Sequence, residues 1–212
     1  PCWRPRSPSS AACSRLSNRS RGWANVVLAD DASHYRYPEV NQGRVLILDI
    51  GGLTTDFIGI RPGGHVDYSV EVSEEIGIKQ AIRILDRSVR KRYSTEFKMT
   101  DVIDEGRLEM ALATGVLVAG GAEWDVAHEA AEARNMILNR VRDAYQDRAG
   151  GPLNWDHIII TGGGCGLLAD HLYDLLNHGS IVHADDLDCI QFANVRGGLK
   201  LYRLMEERGM LR

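Results

Sequence analysis

The chain has 212 residues, 44% of them hydrophobic and 25% charged, with a formal net charge of −4. Such a length and apolar share suffice for one substantial core or two small ones, and the acidic balance argues against a dedicated nucleic-acid binder, which carries a basic face. No window approaches the run of apolar residues that a bilayer-spanning helix needs, so no membrane contact is expected.

Residues 1–22 hold five arginines, six serines and three prolines and no Asp, Glu or Lys. Arg- and Ser-rich, acid-poor composition is shared by transit peptides and disordered tails, and it has too few core-forming side chains to fold alone. The segment reads as a disordered or artefactual tail, and residues 23–42 read as a linker remnant of a preceding domain. Cys2, Cys13, Cys165 and Cys189 form no C-x-x-C pair. They read as free thiols of a reducing compartment, the cytoplasm.

From residue 43 onward the pattern is that of an α/β domain. Val45–Ile50 is a short, almost wholly apolar run, as in a strand covered on both faces. Gly51-Gly52-Leu53-Thr54-Thr55 interrupts it, Asp56–Ile60 resumes as a strand, and Arg61-Pro62-Gly63-Gly64 turns the chain into a third strand, His65–Val72. The expected unit is an antiparallel meander.

A helical region around 78–150 follows. Ile78, Ala81, Ile82, Leu85 and Val89 fall at helical spacing, opposite a face carrying Arg83, Arg87, Arg90 and Lys91. Leu108–Val118 reads as a second helix, broken by Gly120-Gly121. Asp125 is placed to cap a long helix with Ala130, Ala133, Ile137, Val141 and Ala144 inward, ended by Gly150-Gly151-Pro152. His157–Thr161 is then a strand, Gly162-Gly163-Gly164-Cys165-Gly166 a loop, Leu167–Asn177 a helix, Ile181–His183 a short strand and Phe192–Glu207 a closing helix.

Two constellations carry chemistry. In Asp49-Ile50-Gly51-Gly52-Leu53-Thr54-Thr55-Asp56, a buried strand delivers the Asp49 carboxylate to its end, where it can hold Mg²⁺ through water. Gly51 and Gly52 lack a Cβ, so backbone N–H groups can close on phosphate oxygens, and Thr54 and Thr55 add hydroxyl donors. In Ile158–Gly166, a strand runs into glycines and a helix start, a geometry that aims N–H groups at an anionic ligand. The turns lie about 110 residues apart with helices between.

DIGGLTTDF resembles the second phosphate loop of the actin, chaperone and sugar-kinase superfamily, and IIITGGGCGLL its adenosine loop. Phe192–Gly197 resembles the A-N-x-x-G opening of the final helix in plasmid-segregation actins of the ParM/StbA type, and Ser69–Ile84 stands where those proteins place the helix beside the ribose. The resemblance covers roughly residues 43–207, and the order of all four segments carries it. It implies an actin-like (ribonuclease H-like) domain, a mixed sheet with flanking helices, forming the C-terminal nucleotide-binding half of a polymerising ATPase that takes ATP or GTP with Mg²⁺. Its partners would be further copies of itself in a filament and a DNA-bound adaptor, with no direct nucleic-acid contact.

Carried over by residue, the resemblance gives Asp49 the metal's water shell and a catalytic part. Gly51, Gly52, Leu53, Thr54 and Thr55 would cradle the outer phosphates. Gly162, Gly163, Gly164 and Cys165 would pass beside the adenosine, with Lys79 and Glu75 reaching the ribose or adenine edge. For Lys79 a solvated helix position is the plainer alternative. The chain departs from the pattern in two places. An earlier D-x-G-x-x-x-x-K/N loop is absent, and Ala24–Ala32 holds no Gln or Glu where the superfamily supplies its catalytic one. Asp30 and Asp31 read there as exposed loop acids.

Three rivals remain open on the residues. Gly164–Ala169 fits G-x-G-x-x-A, with Asp185 and Asp186 following, which would suit a dinucleotide-binding unit. It leaves DIGGLTTD unexplained. A small-molecule kinase of the same superfamily would need an acceptor-binding domain that is not visible. A non-catalytic nucleotide-binding or filament module is the third. The basic run Arg87–Arg92 reads as a solvated face, with a filament or partner contact as its alternative. Cys165, at a helix start, stands where a thiolate is favoured. The seven histidines show no metal-ligand spacing.

Overall fold

The computed structural model describes residues 42–183 together with Leu199, Tyr202, Arg203 and Glu206, which are helical. The expected tail 1–22, the Ala24–Ala32 segment, Cys2, Cys13, Cys189, Asp185, Asp186, and the Phe192–Gly197 opening with most of the closing helix lie outside those residues.

The sheet is built from the middle outward. β1 (Val45–Ile50) is buried at every position. It pairs antiparallel with β2 (Thr55–Arg61) on one side and parallel with β6 (His157–Thr161) on the other. β3 (His65–Glu74) continues the meander from β2, and β7 (Ile181–His183) closes the far edge beside β6. The order is β3-β2-β1-β6-β7. A central strand with neighbours on both sides must be apolar throughout, which is why VLILDI shows no alternation. The antiparallel meander beside a parallel pair is not the doubly wound parallel sheet of a dinucleotide-binding unit.

Helices α1 (Ile78–Arg92), α2 (Glu105–Thr114), α3 (Ala127–Ala149) and α4 (Gly163–Leu176) supply the core on one sheet face. Leu46, Leu48, Ile50, Phe57, Ile158 and Ile160 meet Leu85 and Val89 of α1, Ile137 and Val141 of α3, and Leu168 and Leu172 of α4 in one continuous cluster. The expected stripes of α1 and α3 are the buried ones, though Ala144 is only half-buried. Burying a Leu or Ile side chain stabilises by about 1.5–3 kcal/mol, so this cluster is the main source of stability.

Two elements differ from the sequence expectation. The helix read at Leu108–Val118 starts earlier, at Glu105, where the Asp104 carboxylate accepts the Arg107 N–H at 3.2 Å, and it stops at Gly115. Val116–Ala119 is instead strand β4, paired with β5 (Ala122–Asp125) in a two-stranded hairpin. Exposed Val116 and Val118 alternating with buried Leu117 and Ala119 suit a strand, and Gly120 and Gly121, both at positive φ (62° and 78°), form the tight turn that such a hairpin needs. Tyr93, Phe97 and Trp124 stack edge to face, at 5.0–6.4 Å, and pin the hairpin to the end of α1. The N-cap of the long helix is Val126 and not the expected Asp125, which ends β5 one residue earlier and accepts the Ala127 N–H on its carboxylate at 3.1 Å; Gly150 ends the helix. The second difference is α4, which begins at Gly163 and not at Leu167, so most of the expected glycine loop is its first turn.

At the other end of the sheet, Asp67 is buried beneath two arginines. Arg61 Nη2 donates to it at 2.8 Å, and Arg44 stands 3.6 Å away over the Trp155 ring. The Arg61 hydrogen bond, and then that of Ser69, hold the Asp67 carboxyl well below the usual carboxylate range. A depressed folded pKa gives stability that is complete above the unfolded value, about 4, and is lost as pH falls below it. Asp67→Asn is therefore expected to lower the urea midpoint at pH 7, and the gap from the unmodified chain is expected to begin narrowing as pH falls below about 4 and to close only as pH approaches the much lower folded value. A gap that stays constant down to pH 3 would show that the carboxylate contributes nothing through its charge.

Candidate functional site

The β1–β2 turn and the β6–α4 turn sit side by side because β1 and β6 run parallel, Asp49 opposite Thr161 in the register. The first turn is closed by Gly51 N–H donating to the Thr54 carbonyl at 2.8 Å. Helix α1 then lands on it, with Ile78 N–H donating to the Gly51 carbonyl (3.2 Å) and Lys79 N–H to that of Gly52 (2.9 Å). Contact this close requires Gly77, where a Cβ would stand 2.5 Å from the Gly52 oxygen and 2.6 Å from the Leu53 carbonyl carbon. The second turn packs on β1 in the same way: a Cβ on Gly164 would stand 2.8 Å from both the Ile50 oxygen and Ile78 Cγ1.

Between the two turns lies a cleft walled by Gly52, Lys79, Glu105, Glu109, Gly163 and Gly164 on a floor of Ile78, Ile82 and Leu167. The N-termini of α1 and α4 both open onto it, so two helix dipoles present their positive ends to one space. Of the residues singled out in the sequence, the structure brings Gly52, Lys79, Gly163 and Gly164 into the cleft wall. Gly162 lies directly behind them against Asp49, where a Cβ on it would overlap the Asp49 carboxylate. Leu53 projects to solvent at the turn tip, and Thr54 is half-buried beside it. The Thr55 hydroxyl turns inward and donates to the Ile76 carbonyl at 2.7 Å. Glu75 stands outside the wall, its carbonyl accepting from Gln80 at 2.7 Å.

Cys165 departs from the thiolate expectation. It is fully buried, its thiol donates to the Thr161 carbonyl, and burial pushes it up to about 12, the Asp49 charge acting in the same direction. Its side chain faces the core, and it is not among the residues that line the cleft. At pH 8 the thiol is protonated and shielded. Iodoacetamide is expected to leave Cys165 unmodified in the native chain and to label it once denaturant is added, as peptide mass mapping reads directly. Rapid native labelling would place the thiol outside the core.

Asp49 lies in a polar row across the strand ends. Asp56 opposes it on β2 and Thr161 on β6, all three buried and all on the face away from the helical cluster. Ser73 Oγ donates to Asp56, and Thr161 Oγ1 is buried with no hydrogen-bond partner. Among the described residues no three His, Cys, Asp or Glu side chains are grouped to hold a metal ion by themselves. A magnesium ion held from this row would keep most of its waters and take further ligands from phosphates, the usual mode for that ion.

Sequence reasoning missed Glu105 and Glu109. They stand one helical turn apart on α2, across the cleft from Lys79, and Glu105 Oε1 lies 3.1 Å from Lys79 Nζ. Their i,i+4 spacing was the available signal, but nothing local says that α2 packs back over the cleft.

The family of archaeal MreB-like actin homologues, in its C-terminal part, matches residues 47–174. The chain belongs to this archaeal MreB-like actin family. This MreB-like chain is also similar in fold to Ta0583, an archaeal actin homologue in complex with ADP, at TM-score 0.65 and 21% identity over 76% of this chain and 50% of that one. It is similar to a ParM from a 15-stranded filament of Clostridium botulinum at TM-score 0.65 and 17% identity, over 80% and 48%. Bacillus thuringiensis ParM with ATP follows at 0.57 and 14%, over 77% and 47%. The MreB-like chain thus spans about half the length of the structures it matches. No curated protein matches it. The shared fold is actin-like, a mixed sheet with flanking helices. Among the described residues no helix is long and apolar enough to cross a membrane.

Proposed function

We propose that this MreB-like chain is the nucleotide-binding half of an actin-like, filament-forming ATPase of the ParM/StbA kind, acting in plasmid or DNA segregation in the cytoplasm. In this reading residues 43–212 form the C-terminal domain, with the helical region near 78–150 inserted in it. The observation that carries the reading is the cleft itself, in which two glycine turns and two helix N-termini converge. Phosphate oxygens are the ligand such a place favours, because the positive ends of two helix dipoles face it and its glycine walls carry no Cβ.

In that site the Gly51–Thr54 backbone holds the outer phosphates. Asp49, opposite Asp56 in the register, would hold the water shell of a Mg²⁺ ion, and Gly163 and Gly164 would pass beside the nucleoside. Lys79, Glu105 and Glu109 line the mouth. A bound Mg²⁺ supplies charge neutralisation on the phosphates. Hydrolysis further requires the first phosphate loop and a Gln or Glu, neither of which this sequence carries in the expected form. Complexes of relatives with ADP and ATP, and a relative found in a filament, support the ligand class and self-association. The adaptor and the DNA cargo rest on the ParM/StbA resemblance alone.

Calorimetry with Mg-ATP, Mg-GTP and NAD, with light scattering after nucleotide addition, tests the proposal. Binding of a nucleoside triphosphate and not of NAD, with a scattering rise, is the expected result. NAD binding in preference to both triphosphates would overturn it.

A further inference from the structure

Among the described residues three buried side-chain oxygens have no hydrogen-bond partner: Glu71 Oε1, Tyr145 Oη and Thr161 Oγ1. A buried hydroxyl without a partner has given up its bonds to water for nothing, so folding alone does not favour one. Glu71 is only half-buried, on β3. Tyr145 lies among the apolar side chains of the helical cluster. Thr161 is placed differently. It is fully buried and ends β6, one residue before the glycine turn that walls the cleft.

Its neighbour is Asp49. The two stand opposite each other in the parallel register of β1 and β6, and strand alternation puts both on the sheet face away from the helical cluster. Neighbouring strands lie about 4.8 Å apart, so side chains at one level on one face are within hydrogen-bonding reach. Here the Asp49 carboxylate leans toward the second turn, its Oδ1 2.2 Å from the place that a Cβ on Gly162 would take. On the other side of Asp49, Asp56 already accepts from the Ser73 hydroxyl. The row therefore holds a second hydroxyl donor, next to Asp49, that the free chain does not use.

We propose that Thr161 is a positioning residue of the nucleotide site: when nucleotide binds with Mg²⁺, its hydroxyl donates to the Asp49 carboxylate and fixes the oxygen that faces the ion's water shell. A hydrogen bond to a carboxylate is charge-assisted and favours the ionised form, which is the form that can hold such waters. The bond is made only in the bound chain, so what the hydroxyl fails to contribute to folding it contributes to binding. This inference rests on the nucleotide reading above and gives the third member of the buried row a part in it.

The test compares T161V, T161S and Y145F in the full chain, by melting curves without ligand and by calorimetry with ATP in Mg²⁺ and in EDTA. Valine keeps the branched shape and removes the hydroxyl. T161V is expected to hold its melting temperature or raise it by up to roughly 5 °C, because an unsatisfied buried group is gone. Its affinity for ATP is expected to fall roughly tenfold in Mg²⁺ and to stay unchanged in EDTA. T161S is expected to bind as the unmodified chain does. Y145F removes the other orphaned hydroxyl and is expected to match T161V in stability while leaving binding unchanged. On an Asp49→Ala background, T161V is expected to weaken binding no further.

A fall of more than about 3 °C in the melting temperature of T161V would show that the hydroxyl is already bonded in the free chain, and would overturn the proposal. So would an equal loss of affinity with and without Mg²⁺, a serine variant that fails to rescue, a Y145F chain that loses as much, or a full T161V effect on the Asp49→Ala background. Magnesium-dependent binding that ignores T161V overturns this inference and leaves the nucleotide reading standing. An unmodified chain that binds neither ATP nor GTP overturns both.

Discussion

Gly162→Ala is expected to destabilise the chain by about 3–5 kcal/mol. Gly162 has φ 90° and ψ 155°, a conformation essentially closed to residues with a Cβ. The added Cβ would also overlap the Asp49 carboxylate and the Ile50 carbonyl. Neither neighbour can yield cheaply, because β1 is hydrogen-bonded on both sides and buried throughout. For a chain of this size the loss corresponds to a fall of roughly 10 °C in melting temperature. Gly166→Ala is the control. It sits within α4 with nothing inside 4 Å of the added Cβ, and alanine is expected to be neutral or to stabilise by up to about 1 kcal/mol. Urea titrations followed by circular dichroism compare the two. A Gly162→Ala chain within about 1 kcal/mol of the unmodified one, a difference small for strain of this kind, would mean that the second turn does not pack on β1.

The frame of the domain was legible because it is written locally. An unbroken apolar run between two glycine turns specifies a central strand, and the meander, the long α3 and the return strand at His157 follow from periodicity and turn residues. The hairpin at Val116–Asp125 was less legible. Leu108, Leu112 and the valines after them satisfy a helical period long enough to hide the point where Gly115 stops α2. Features made by residues far apart were not legible at all. Asp67 meets Arg44 across 23 positions, and Glu105 reaches Lys79 only once α2 has folded back over α1. The same limit governed the site. The glycines were found because their need for close approach is local. The inward turn of Thr55 and Cys165 depends on what lies behind them, in Ile76 and Thr161.

Asp49→Ala is expected to remove most magnesium-dependent nucleotide binding and to leave the fold standing. In the proposed site this carboxylate is the group that orients the metal's water shell, and its place at the end of a central strand is fixed by pairing with both β2 and β6. Loss of one charge-assisted contact of this kind costs about 1.5–3 kcal/mol, roughly ten- to a hundredfold in affinity. Gly163→Val is the contrasting lesion. It adds bulk to the cleft wall without touching the polar row, so it is expected to weaken nucleotide binding equally with Mg²⁺ and with EDTA. Calorimetry of each variant under both conditions separates the two effects. Asp49→Ala should abolish the difference between the conditions, whereas Gly163→Val should lower affinity in both and keep their ratio. If Asp49→Ala instead binds Mg-ATP as tightly as the unmodified chain, the carboxylate belongs to the buried row as a structural group, and the metal must be held from elsewhere. If NAD binds and its binding survives Asp49→Ala, the ligand is a dinucleotide, and the assignment of phosphate contacts to Gly51–Thr54 falls with it.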